Sequence, residues 1–106
     1  MAIAVPEGLL ALVKNWLDIT WTDTEADAKL TGQIQRGISY ISAKTGVSAE
    51  AFFGDEANYR AQELLLNYVL YDRSGSVDEF KKKYQSDIIG LHNLWEVGRH
   101  ASSSEG

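Results

Sequence analysis

The stretch TDTEADAKLTGQIQRGISYISAKTG, Thr22 to Gly46, decides the fold. Its apolar residues Ala26, Leu30, Ile34, Ile38 and Ile41 recur every three or four positions. At 100° per residue they fall within an arc of about 120°, the stripe of an amphipathic helix. Thr22 followed by Glu25 spells a capping box, and Asp23, Glu25 and Asp27 place negative charge where a helix N-terminus favours it. Lys44 then precedes Gly46, the residue type that closes helices in a left-handed conformation. Gly32 and Gly37 lie inside this helix, each costing roughly 1 kcal/mol relative to alanine. Gly37 projects near the apolar arc, which marks a place where another element can approach closely.

Three further segments carry the same period. Pro6 suits a first helical position, and Leu9, Leu10, Val13, Trp16 and Leu17 follow it, predicting a helix over about 6–17. In the link to the next helix, Ile19 or Trp21 is expected to tuck under it. Residues 47–54, with Phe52 and Phe53, read as a short turn carrying two aromatic anchors. A third helix is predicted over about 56–73. Ala57, Ala61, Leu64, Leu65, Tyr68 and Tyr71 form one face, while Leu66, Val69 and Leu70 fall on the other. A helix apolar on both sides is central to its own fold or shared with a neighbour. Ser76 with Glu79 spells a second capping box, opening a fourth helix over about 77–97 through Phe80, Tyr84, Ile88, Leu91 and Trp95. The expected architecture is all-α, a compact four-helix domain over residues 1–99 with a flexible, disordered tail at 100–106.

Composition excludes several function classes. The chain has 106 residues and no cysteine, so it forms one domain without disulfides or thiolate chemistry. No apolar run reaches membrane-spanning length, and the first residues lack a secretory leader, so the protein is expected to stay where it is made. Ten basic against fifteen acidic residues give a net charge of −5, which argues against gripping duplex DNA. The excess acidity lies in residues 47–75, around Glu50, Asp55, Glu56, Glu63 and Asp72.

Catalytic and cofactor motifs are missing. His92 and His100 are spaced too far apart for a two-histidine zinc helix, and His92 with Glu96 supplies only two ligands. No nucleophile elbow and no phosphate-cradling glycine loop occurs. Lys81, Lys82 and Lys83 spread over about 200° of a helical wheel, which reads as a solvated face rather than one patch. Neither an enzyme nor a bound cofactor or metal is expected.

The run Leu17 to Leu30, then Ile34, Gly37-Ile38, Tyr40-Ile41 and Thr45-Gly46, resembles the N-terminal half of small head–tail connector proteins of long-tailed bacteriophages and related prophages. The segments Ala61–Tyr71 and Ser76–Tyr84 are similar to the later helices of that family, so the resemblance spans about residues 7–97. It implies a structural subunit that forms a ring of about a dozen copies on the portal protein. Such a ring joins the filled head to a tail-side completion protein, at the head–tail junction of a virion made in the bacterial cytoplasm. Duplex DNA passes through its lumen. A ring needs two different faces in contact, and Leu66, Val69, Leu70 and Arg73 are the expected members of one. Two other readings fit an all-α chain. One is a small DNA-binding regulator using the second and third helices as a helix-turn-helix, although Arg60 and Arg73 are few cations for that role. The other is a monomeric helical adaptor holding a single partner helix.

Overall fold

Asp23 starts the long helix. Its carboxylate accepts hydrogen bonds from the backbone N–H groups of Glu25 and Ala26 at 2.9 and 3.3 Å. The helix, α2, therefore begins at Thr24 and runs to Thr45. The cap is Asp23 rather than the expected Thr22, because an aspartate one residue later reaches two of the free N–H groups. Gly46 ends the helix at φ 81°, as its position in the sequence predicts.

The computed structural model describes residues 7–19, 23–54 and 58–105, with side chains placed between 8 and 97. Pro6, Trp21, Thr22, Asp55, Glu56 and Ala57, to which roles were assigned above, lie outside the described residues. Helix α1 is Glu7–Trp16, a 3-10 turn covers Ala49–Phe52, α3 is Tyr59–Arg73, α4 is Val77–Lys83 and α5 is Gln85–Glu105. Among the described residues there is no strand, so the fold is all-α.

One expectation needs correction. The single fourth helix is two, α4 and α5, separated at Tyr84 (φ −102°, ψ 11°). The reason is divided attachment: α4 packs on α3, whereas α5 packs mainly on α2. Tyr84 holds the corner. Its ring stacks on Phe80 at 4.9 Å and its hydroxyl donates to Asn67 Oδ1 at 3.2 Å. Helix α5 is described as far as Glu105, and Gly106 lies outside the described residues.

The ends of the other helices follow local chemistry. Asp18 takes a left-handed conformation (φ 61°) beyond α1. This lets Ile19 N–H reach the Lys14 carbonyl at 2.8 Å in a Schellman closure. Ile19 is thereby brought against the core, as expected. Asn58 caps α3 by accepting from Arg60 and Ala61 N–H, so α3 starts later than the predicted 56. Ser76 makes no side-chain cap; its hydroxyl turns to the Ser74 carbonyl at 3.4 Å, and the second capping box does not form.

α3 is the central helix, buried against α2, the 3-10 turn, α4 and α5. Leu64, Leu65, Leu66, Tyr68 and Val69 all lie in the core. Two ion pairs pin the long helix to its neighbours. Lys14–Asp27 ties α1 to α2 and Arg36–Asp72 ties α2 to α3, both at 2.8 Å. Arg36 is largely exposed, so that pair is worth under about 1 kcal/mol and sets orientation more than stability.

Phe80 is fully buried at the junction of α2, α3 and α4, with rings of Tyr40, Tyr68, Tyr71 and Tyr84 between 4.9 and 6.4 Å away. Phe80→Ala should cost about 3–5 kcal/mol in urea unfolding, combining lost burial, lost ring contacts and the cavity left behind. A loss below about 1 kcal/mol would mean that α4 is not docked through this ring.

Candidate functional site

The aromatic cluster that docks α4 also builds the most distinctive surface of the molecule. Tyr40, on the C-terminal half of α2, stacks against Tyr68 at 5.9 Å and contacts Phe80 edge-on at 6.4 Å. Three helices meet around its outer side. Lys44 comes from α2, Lys81 and Lys82 from α4, and Gln85, Ile88, Ile89 and His92 from α5. Together they line a groove of about 420 Å³.

The electrostatics of this groove are one-sided. Lys81 Nζ lies 5.0 Å from the Tyr40 ring centroid and Lys44 Nζ lies 5.9 Å from it, both within cation–π reach. Two ammonium groups thus gather about one ring, with a third from Lys82 beside them. The lining contains no carboxylate. His92 is held by a 3.0 Å contact from Nδ1 to the Thr45 carbonyl. A carbonyl only accepts, so Nδ1 carries the proton and the ring orientation is fixed. Thr45 is itself locked: its buried hydroxyl donates to the Ile41 carbonyl at 2.7 Å and accepts from Val47 N–H at 3.2 Å.

Chemically the groove is a mixed cationic and apolar surface. It offers ammonium and amide donors over an apolar floor, with Ile88 buried and Ile89 half exposed. Elsewhere, among the described residues, no group of three His, Asp or Glu side chains is placed to hold a metal. No helix among them is long and apolar enough to cross a membrane.

The sequence-predicted interface residues separate. Val69 is fully buried and Leu66 nearly so, both in the subunit's own core. Leu70 remains 41% exposed and Arg73 is at the surface at the end of α3. Wheel position made Leu66 and Val69 candidates for a neighbour, but they share a helix face with Gln62, whose side-chain amide donates to the Phe52 carbonyl at 3.0 Å, so the 3-10 turn of the same chain lies on that side. α5 shows an apolar surface that the sequence reading missed: Ile89, Leu94 and Val97 are each more than half exposed. The helix-turn-helix arrangement is not available to α2 and α3. Residues 46–58 separate them where such a motif has a tight turn, and α3 is the buried centre of the fold.

The lysine run also reads differently in three dimensions. Lys81 and Lys82 share the groove, whereas Lys83 sits 5.7 Å from the Tyr84 ring and hydrogen-bonds to Tyr71. That hydrogen bond holds the Lys83 ammonium protonated above the ordinary lysine range. Lys44 and Tyr40, the other half of the site, stand on a different helix, and no local sequence signal joins them to the run.

No family model matches the chain, and no curated protein or solved structure matches it.

Tyr68, beneath Tyr40, has its hydroxyl pushed above the usual tyrosine value, first by burial and then by the negative charge of Asp72. The unfolded chain therefore loses this proton at a lower pH than the folded one, and stability falls as pH rises above about 10. Lys83 adds to the same fall, since a raised lysine stabilises only while the unfolded chain also remains protonated. Tyr68→Phe should flatten the decline in melting temperature between pH 9.5 and 11, roughly the interval around the free tyrosine value. An unchanged slope would remove Tyr68 as its source.

Proposed function

We propose that this chain is a structural subunit of a bacteriophage or prophage head–tail connector. It assembles as a ring on the portal, links the DNA-filled head to the tail-side completion protein, and lets duplex DNA pass through its lumen. The observation that carries this reading is exposed apolar residues on two different helices. Leu70, with the exposed Arg73 near it, stands on α3, and Ile89, Leu94 and Val97 stand on α5. Large apolar side chains left exposed offer protein contacts, and a ring requires two unlike faces to meet.

The positions on which the family resemblance rests have structural roles that support it. Ile19 closes α1, Asp23 caps α2, Gly37 admits α3, and Thr45 with Gly46 ends α2 and anchors α5. Such positions place helices relative to one another and perform no chemistry, as befits an assembly part. The net charge of −5 suits a lumen wall past which phosphates slide without being held.

The test uses the portal protein that this reading expects to be encoded beside this chain. Mixed with it, the wild-type protein should appear in negative-stain or cryo-electron micrographs as an added ring of about a dozen subunits. The double variant Leu70→Glu, Leu94→Glu removes apolar groups that are already exposed, so it should keep wild-type helicity and fail to add density. A one-to-one complex, or a ring that forms equally well with the variant, would contradict the proposal.

A further inference from the structure

We infer that the groove over Tyr40 binds an acidic peptide segment of a partner protein, one in which carboxylates flank an apolar side chain. The inference is separate from the connector reading and stands on the groove alone.

Charge comes first. The protein carries five more acidic than basic residues, yet Lys44, Lys81 and Lys82 converge here with no carboxylate in the lining. Gathering like charges around one ring opposes folding unless something else is gained, and an anion in the groove removes that repulsion. Comparison within the molecule sharpens the point. The cleft beside Tyr84 is of similar size, about 350 Å³, but is lined by Arg60 together with Glu63 and Asp87, so it selects neither sign.

Shape and polarity then choose among anions. Ile88 forms a floor and the half-exposed Ile89 a wall beside the ammonium groups, and the Tyr40 ring continues that apolar surface. A phosphodiester backbone has no use for such a floor, and a long polyanion meets the net negative charge of the remaining surface. A peptide with carboxylates at its edges and a leucine-like side chain between them satisfies both parts at once. The groove is also built before any ligand arrives. Lys81 and Lys44 rest on Tyr40, Tyr40 is fixed by Tyr68 and Phe80, and His92 is fixed by Thr45. Preorganisation of this kind lowers the ordering cost of binding.

The experiment is fluorescence anisotropy at low and moderate salt with a labelled peptide, EDLEELDE, and with EDSEESDE and a short random DNA duplex as competitors. The leucine peptide should bind, weaken as salt rises, and outcompete both others. Lys44→Glu with Lys81→Glu should lower its affinity at least about tenfold, whereas Lys83→Glu, which makes the same kind of charge change outside the groove, should alter it less than about twofold. Circular dichroism confirms that each variant is folded. Should the double glutamate variant not fold, Lys44→Gln with Lys81→Gln takes its place, with a loss of about fivefold expected. Any of four results overturns the assignment: no binding of EDLEELDE at low salt, equal binding of EDSEESDE, tighter binding of the duplex, or an equal effect of Lys83→Glu. Self-association that disappears in the Lys44/Lys81 variant would make a second copy the occupant and likewise overturn it.

Discussion

A Cβ at position 37 would stand 2.6 Å from Leu65 Cδ1 and 2.9 Å from Tyr68 Cδ1, so α2 and α3 can cross as closely as they do because that residue is glycine. Everything downstream inherits this spacing. Tyr68, seated against Gly37, presents one side of its ring to Tyr40 and its edge to Phe80. Phe80 brings in α4, Tyr84 turns the chain, and α5 returns along α2 to meet the Thr45 carbonyl through His92. The cationic groove is the outer surface of that same sequence of contacts.

The arrangement joins a property of the core to a property of the surface. Tyr40 is half-buried, with one side against the aromatic cluster and the other beneath two ammonium groups. Leu70 on α3 stands apart from the groove, whereas Ile89 on α5 belongs both to its wall and to the exposed apolar residues of that helix, so peptide capture and any contact through α5 would share an edge. A small chain with −5 net charge can thus repel nucleic acid over most of its surface and still offer one cationic groove.

Much of the fold was legible because it is written locally. The stripe from Leu30 to Ile41, the acidic first turn and Gly46 locate α2 within a residue or two, and the all-round apolarity of Ala61 to Leu70 marks α3 as central. What could not be read depends on partners remote in the chain. Nothing in the spacing of Phe80, Tyr84, Ile88 and Leu91 tells one helix from two, since the break at Tyr84 arises because α4 and α5 attach to different helices. Leu66 and Val69 lie off Gly37's side on a wheel, but only the folded chain decides whether the 3-10 turn or a neighbour covers them. The groove was invisible for the same reason. A helical wheel disperses Lys81, Lys82 and Lys83, and the residues that turn two of them into a site, Tyr40 and Lys44, belong to α2.

The most direct measurement compares alanine at the two glycines of α2 by urea unfolding. At position 32 a Cβ would meet only the end of Arg36, 3.7 Å away, so Gly32→Ala should gain about 0.5–1 kcal/mol from helix propensity. Gly37→Ala gains the same propensity but forces Leu65 and Tyr68 apart, and should lose about 1–3 kcal/mol net. Equal stabilisation by both substitutions would contradict the account, because α2 and α3 would then not depend on close approach at Gly37.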